Sequence, residues 1–313
     1  MESTRSRRSF ITSAALAGAT LFTAPAILTG RSRATIIRST DEPFTMGFAP
    51  PLGMFSELCG SSDPVDEIRF IHEKGFTAVF DNGLAGRPVS EQIRIAGEIQ
   101  RLGMMMGPWV LYADFSKTSF VLKNEAVRDL LKSKMQEGIE VARRTGFKMV
   151  LMVPGRYDER LHPDFQTANV IDNLKYCAGY AEPEGITIVI EPLNTLRDHP
   201  GLWLNRMPQA YQVCKAVNSP SVKIVDDIYH QQITEGNLIP NIEACWDQIA
   251  AFHVGDNPGR KEPGTGEINY KNIFKYLQSH DYKGVMCMEH GVSMEGEEGL
   301  KRVIEAYREC DPV

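Results

Sequence analysis

The sequence predicts an α/β protein of the (β/α)8 TIM-barrel type, on three observations. Beyond residue 43, eight short apolar runs of strand character alternate strictly with eight amphipathic runs of helical period. Such alternation calls for a parallel sheet covered by helices, and eight repeats suit a closed barrel. No linker rich in Gly, Ser or Pro divides the chain, and the first strand–helix turn lacks the GxGxxG pattern of an open dinucleotide-binding sheet.

The elements follow in order. FTMGFAP (44–50) reads as the first strand. PVDEIRFIHEKG (64–75) reads as a helix, with Asp63 as N-cap and Gly75 as stop. FTAVFD (76–81) is the second strand, VSEQIRIAGEIQRLG (89–103) a helix and MMMGPWV (104–110) the third strand. Residues 124–146 form a long helix with apolar positions at spacings of three and four, and KMVLMVP (148–154) is the fourth strand. Residues 167–185 hold a helix, ITIVIEP (186–192) is the fifth strand and MPQAYQVCKAVN (207–218) a helix entered through Pro208. VKIVDD (222–227), IAAFHVGD (249–256) and YKGVMCME (282–289) complete the strands. Helices over 237–248, 269–281 (capped by Asn269) and 295–310 follow them in turn. The barrel is one domain over residues 41–313.

Residues 1–40 read as a leader. Arg7 and Arg8 precede ITSAALAGATLFTAPAI, a charged segment followed by a modest apolar one, the pattern of a twin-arginine export signal. The apolar run is short for a membrane span, is interrupted by Pro25 and has no successor, so an exported, periplasmic protein with no stable membrane span is expected. Removing residues 1–30 takes out three arginines and one glutamate and moves the net charge from -6 to -8. With that acidic balance and no basic stripe, no nucleic-acid partner is expected. The six cysteines are scattered without a CxxC pair, which argues against a zinc knuckle or a disulfide scaffold.

In a barrel the active site lies at the C-terminal strand ends. The fifth strand ends in Glu191 and the sixth in Asp226 and Asp227. The seventh carries His253 with Asp256 beyond it, and the eighth ends in Glu289. One such carboxylate alone could cap a helix or pair with an arginine. Carboxylates and an imidazole on four consecutive strands need a cation or shared protons to offset their repulsion. The donor set is oxygen and nitrogen without thiolate, suited to Mg²⁺ or Mn²⁺ first, with Zn²⁺ or Co²⁺ chemically admissible. Two glutamates across a metal suit proton transfer beside a carbonyl, and equally metal-assisted hydrolysis. Trp109, placed at the end of the third strand, and Arg197 and Trp203 in the loop after Glu191 could wall the site.

The segments IVIEPLNTLRDHPG, VDDIYHQQITEG, FHVGDNPGRKEPGTGEINY and MCMEHG resemble the hydroxypyruvate isomerase group of the xylose-isomerase-like barrels, over residues 44–309. The resemblance implies a divalent metal held by Glu191, Asp227, His253 and Glu289, the DIYH context selecting Asp227 over Asp226. It implies that Glu191 and Glu289 are the acid–base pair, that His230 and Arg260 contact substrate and that Glu267 lies in a structural or rim loop. The implied reaction is isomerisation of a small hydroxy-carbonyl compound, hydroxypyruvate to 2-hydroxy-3-oxopropanoate, through an enediolate. A ketose 3-epimerase or other sugar isomerase is the nearest alternative. A phosphodiesterase- or endonuclease-like barrel and a non-catalytic sugar-binding barrel are the others. The partner expected is a small polar hydroxy-carbonyl or sugar substrate, and an oligomer is compatible with the sequence.

Overall fold

The computed structural model describes residues 42–312; the expected leader lies outside them. Nine parallel strands among the described residues make the eight staves of a curled sheet surrounded by helices. They are β1 (Gly47–Ala49), β2 (Ala78–Val79), β3 (Met105–Met106), β4 (Trp109–Tyr112), β5 (Met149–Met152), β6 (Thr187–Ile190), β7 (Val222–Asp227), β8 (Ile249–Val254) and β9 (Val285–Met288). Seven pair in the order β1-β9-β8-β7-β6-β5-β4, and β2 pairs with β3. The ring closes where β1 runs into a single parallel bridge, Pro51 to Phe80, with Phe80 N–H donating to the Pro50 carbonyl at 3.0 Å.

The expected third strand (104–110) is two strands. Gly107 and Pro108 interrupt it: Pro108 has no N–H for a ladder, and a Cβ on Gly107 would sit 2.6 Å from Cys287 Sγ and 2.7 Å from Phe80 Cβ. The backbone there comes close to Phe80 and Cys287, where only glycine fits, and strand pairing resumes at Trp109.

The main covering helices are α2 (Pro64–Glu73), α3 (Val89–Arg101), α4 (Glu125–Thr145), α5 (Pro163–Ala181), α6 (Met207–Val217), α8 (Leu238–Cys245), α9 (Tyr270–Ser279) and α10 (Gly296–Cys310). Asp63 caps α2 by accepting from Val65 N–H, and Asn269 caps α9 by accepting from Asn272 N–H. Two short helices were not expected, α1 (Ser56–Cys59) and α7 (Ile228–Thr234). The second starts directly from β7, with Asp227 as N-cap accepting from His230 N–H at 3.1 Å. Among the described residues no helix is long and apolar enough to cross a membrane.

Strand parity sorts the side chains. Ile188, Ile190, Val222 and Ile224 join α4–α6 in one apolar layer, and Phe252, Met286 and Met288 join α2, α9 and α10 in another. Ala78, Phe80, Leu151, Val189, Val225, Ala251, Val285 and Cys287 fill the barrel itself. The next inward positions after Val189, Val225, Ala251 and Cys287 are Glu191, Asp227, His253 and Glu289. The fold therefore brings the four together by the two-residue period of the strands.

Candidate metal centre and active site

Glu191, Asp227, His253 and Glu289 each offer one ligand atom, all within 4.8 Å of one another. Asp227 and His253 are direct partners in the β7–β8 ladder. Glu191, Asp227 and His253 are buried, and Glu289 is partly exposed at the mouth. His253 Nδ1 lies 2.8 Å from Glu191 Oε1 and 3.2 Å from Glu289 Oε2. Three carboxylates and a ring nitrogen converging in a buried mouth form an acidic/His cluster that fits a divalent metal ion, with the hard-to-borderline donors that Mg²⁺, Mn²⁺, Co²⁺ or Zn²⁺ accept.

The electrostatics show how strongly this point attracts positive charge. Burial disfavours the His253 imidazolium, yet Glu289 and Glu191 outweigh it and raise the ring well above its ordinary value. Burial pushes the Glu191 carboxyl up to about 7, opposed by His253 and reinforced by Glu289. Glu289 is also penalised by burial, but His253, Arg260 and the Asn82 amide hold it well below the usual carboxylate range. The two glutamates thus sit in environments that push them apart.

Arg260 reaches the cluster. Its Nη2 donates to Asp227 Oδ2 at 3.0 Å and to Glu289 Oε2 at 2.7 Å, and its guanidinium lies 4.9 Å from the centre of the Tyr229 ring. His230 is fully buried beside Asp227, with Nε2 3.5 Å from Oδ2. Its Nδ1 faces the Asn194 amide Nδ2 at 2.6 Å, so Nδ1 accepts and the ring proton sits on Nε2, which has no hydrogen-bond partner within the protein. Burial holds this imidazole below its ordinary value, against the opposing pull of Asp227.

Trp109 does not join them. It opens β4 instead of ending a strand, is completely buried in the layer between barrel and helices, and its Nε1 points to the Phe147 carbonyl at 3.4 Å. The expectation of a substrate wall there is corrected: after Gly107 and Pro108 the strand restarts with Trp109 facing outward. Trp203 is likewise buried in that layer. Arg197 ties two loops, donating to the Pro258 carbonyl at 2.7 Å. Asp226, the neighbour of Asp227, faces the helices, where burial raises its carboxyl to about 8. Glu267 lies at the rim, accepting from Asn257 and Gln232.

Two site residues escaped the sequence reading. Asn82 donates to Glu289 Oε1 at 3.0 Å, and its own Oδ1 is buried without a partner. Parity would have found it: Ala78 and Phe80 point inward, so position 82 does too. Asn194 orients His230 and also donates to Asp198 Oδ2 at 2.7 Å. The signal was its place in EPLN, three residues past a ligand.

Carboxylates and an imidazole gathered at the C-terminal mouth of a parallel barrel define a (β/α)8 protein built around a cluster fit to hold a divalent metal ion. The chain belongs to the xylose isomerase-like TIM barrel family, whose profile matches residues 68–310. It is 36% identical over 170 residues to hydroxypyruvate isomerase of Escherichia coli (strain K12), a stretch covering 54% of this chain and 65% of that one. It is 35% identical over 123 residues to 2-oxo-tetronate isomerase of Cupriavidus necator, covering 39% and 47%. Both matches therefore span less than two thirds of the relative. The crystal structure of AP endonuclease, family 2 from Brucella melitensis superposes with a TM-score of 0.69 at 26% identity, over 81% of this chain and 96% of that one.

A bound ion that contacts only the folded state stabilises it by mass action, by about 2.7 kcal/mol at a concentration one hundred times its dissociation constant. Chelator-treated protein is therefore expected to melt ~5–10 °C below protein given saturating Mn²⁺ or Mg²⁺. The check is a thermal melt across the four candidate metals. Melting temperatures that none of them moves would remove the metal reading.

Proposed function

We propose that the protein is a metal-dependent isomerase or epimerase that takes a proton from a carbon beside the carbonyl of a small hydroxy-carbonyl compound and returns one, either to the adjacent carbon or to the opposite face of the same carbon. The first candidate reaction is the hydroxypyruvate to 2-hydroxy-3-oxopropanoate type, which the two isomerase relatives favour. The second is ketose 3-epimerisation, which the size of the cavity beside the cluster favours, since at about 430 Å³ it has room for more than three carbons.

The observation that carries the reading is the pair Glu191 and Glu289, which approach the same ring nitrogen of His253 from β6 and β9. Two carboxylates facing one point can take a proton from one carbon and return one to the next, or to the opposite face of the same carbon. Asn82 and Arg260 hold Glu289 in place, and Glu191 faces it across His253 Nδ1. The Nε2–H of His230 is aimed at the cluster and can donate to a substrate oxygen. Glu191, Asp227, His253 and Glu289 would hold the divalent ion, whose charge polarises a carbonyl and an adjacent hydroxyl. The apolar side chains Leu151 and Val153 in the wall of the cavity would keep water from one side of a bound substrate.

The alternatives draw less support. A nucleic-acid substrate needs a cationic surface, whereas the chain carries -6 and the cluster one imidazole. A purely sugar-binding barrel would have no use for two glutamates converging on one atom. The test is proton exchange in D₂O by the Mn²⁺- or Mg²⁺-loaded protein, followed by NMR with hydroxypyruvate and a panel of ketoses. Deuterium is expected at the carbon beside the carbonyl of at least one compound. A panel with no exchange would overturn the reading.

A further inference from the structure

His199 lies in the loop between β6 and α6, and its half-buried ring sits between two residues of the site. On one side it stacks on Phe115, with ring centroids 4.8 Å apart and planes 23° apart. Phe115 lines the cavity that opens from Glu191 and Glu289. On the other side it meets the ring of His230 at 5.3 Å. The charged groups that act on it include Arg260, Glu289 and Asp227, so it lies within the field of the cluster. Neither ring nitrogen has a hydrogen-bond partner among the described residues.

The backbone fixes the ring in that place. Asn194 Oδ1 accepts from the N–H groups of Arg197 at 3.0 Å and Asp198 at 3.1 Å, and the Asn194 carbonyl accepts from His199 N–H at 3.0 Å. The His199 carbonyl in turn accepts from Leu202 N–H at 3.3 Å. Asn194 thus sets two imidazoles at once, His230 through its amide and His199 through the turn. The stack on Phe115 needs only a flat ring, which leaves the ring N–H for another acceptor. Burial, helped by Arg260, holds the His199 imidazole below its ordinary value against Asp198, Glu289 and Asp227, so at about pH 8 it carries one N–H and one lone pair. Arg260, the guanidinium of the site, already spans Asp227 and Glu289.

We propose that His199 is a substrate-binding residue. Its ring N–H donates to a substrate oxygen beyond the carbonyl carbon and the carbon that gives up its proton. In hydroxypyruvate that oxygen belongs to the carboxylate, and in a ketose to a hydroxyl of the remaining chain. This deepens the isomerase reading and rests on it for the class of substrate.

The test uses the Mn²⁺-loaded full chain at pH 8, with hydroxypyruvate and a panel of ketoses, and three variants. His199→Phe keeps a ring against Phe115 and loses the N–H. His199→Asn and His199→Gln return an amide N–H near the places of Nδ1 and Nε2. For the compound that the wild type exchanges, His199→Phe is expected to raise KM about tenfold with kcat held within about threefold, the pattern of lost binding shared by substrate and transition state. One of the two amide variants is expected to recover most of that loss, and Mn²⁺ affinity is expected to stay at the wild-type value in all three. The effect on hydroxypyruvate assigns the oxygen to a carboxylate, and the effect on a ketose assigns it to a hydroxyl. A wild-type KM in His199→Phe, recovery by neither amide, or a kcat loss as large as the KM rise overturns the proposal. So does a parallel loss of Mn²⁺ affinity, which would make His199 a support for His230 and Asp227. Exchange by the wild type with none of the compounds counts against the isomerase reading, and dissociation constants from titration calorimetry then judge His199 by itself. A compound bound equally by wild type and His199→Phe, or no compound bound at all, overturns the assignment of His199.

Discussion

Replacing Glu191 by glutamine is expected to lower deuterium exchange by about 10²–10⁴-fold, the usual contribution of a positioned acid–base group. The substitution keeps the size and shape of the side chain, so the packing of β6 against β5 and β7 stays intact. What is lost is the oxygen that can bind and release a proton 2.8 Å from His253 Nδ1. The amide also presents either a neutral oxygen or a donor to a ring nitrogen that must face a cation, so metal affinity falls with activity. Circular dichroism and a melt within a few degrees of the wild type separate this loss from misfolding. Full-rate exchange by the folded, metal-loaded variant would show that Glu191 has no part in proton transfer.

The second large effect is expected away from the reacting atoms, at Asp256. Its carboxylate is completely buried and accepts from four backbone N–H groups: Asn257 at 2.9 Å, Ile268 at 3.0 Å, and Gly264 and Gly266 at 2.9 Å each. Its carbonyl receives Arg260 N–H at 2.7 Å. The loop from 256 to 268 is therefore wound around one side chain. It is tight enough that a Cβ on Gly266 would lie 2.0 Å from the Asn257 carbonyl oxygen. Asp256→Ala leaves those amides without their acceptor. Each buried orphan costs ~1–3 kcal/mol, and after partial rescue by water the sum is about 3–5 kcal/mol. For a barrel of this size that lowers the melting temperature by roughly 6–15 °C. Asp256→Asn, which retains one acceptor oxygen, should fall between. Arg260 is built on this loop in a left-handed backbone conformation, at φ 50°, so metal affinity should weaken along with stability. A melting temperature within 2 °C of the wild type for Asp256→Ala would contradict the role given to the carboxylate.

The alternation of strands and helices was legible because both periods are written in the apolar residues, and the candidate ligands were legible because Glu191, Asp227 and Glu289 are the last polar residues of such runs and His253 interrupts one near its end. Asp227 over Asp226 required the resemblance at first, yet parity alone distinguishes them: Val225 fills the barrel and Ile224 faces the helices, so 227 points in and 226 out. The same count would have found Asn82. Parity fails where the backbone is irregular. At Gly107 and Pro108 the third stave breaks, and Trp109 then faces the helices. The short helix α7 was missed because it begins on the last residue of β7, with no turn residues between them to mark a boundary; its cap is a residue already accounted for as a ligand. Arg260 could be placed at the mouth by resemblance, but its pairing with Asp227 and Glu289 depends on a loop fold set by the buried Asp256, which no local pattern announces.

The closure of the ring has a consequence for how the molecule yields. From β4 through β9 to β1 the staves are joined by continuous ladders, whereas β1 meets β2 at one bridge and β2 and β3 share two residue pairs. Hydrogen bonding is thus dense where the ligands are mounted and sparse where Pro51, Phe80 and Asn82 border the cavity. Local opening costs least along that seam. The barrel is in effect a stiff cradle with a pliant lip: the strands that lead to Glu191, Asp227, His253 and Glu289 are bonded along their length, and the edge beside them is held by a few bonds.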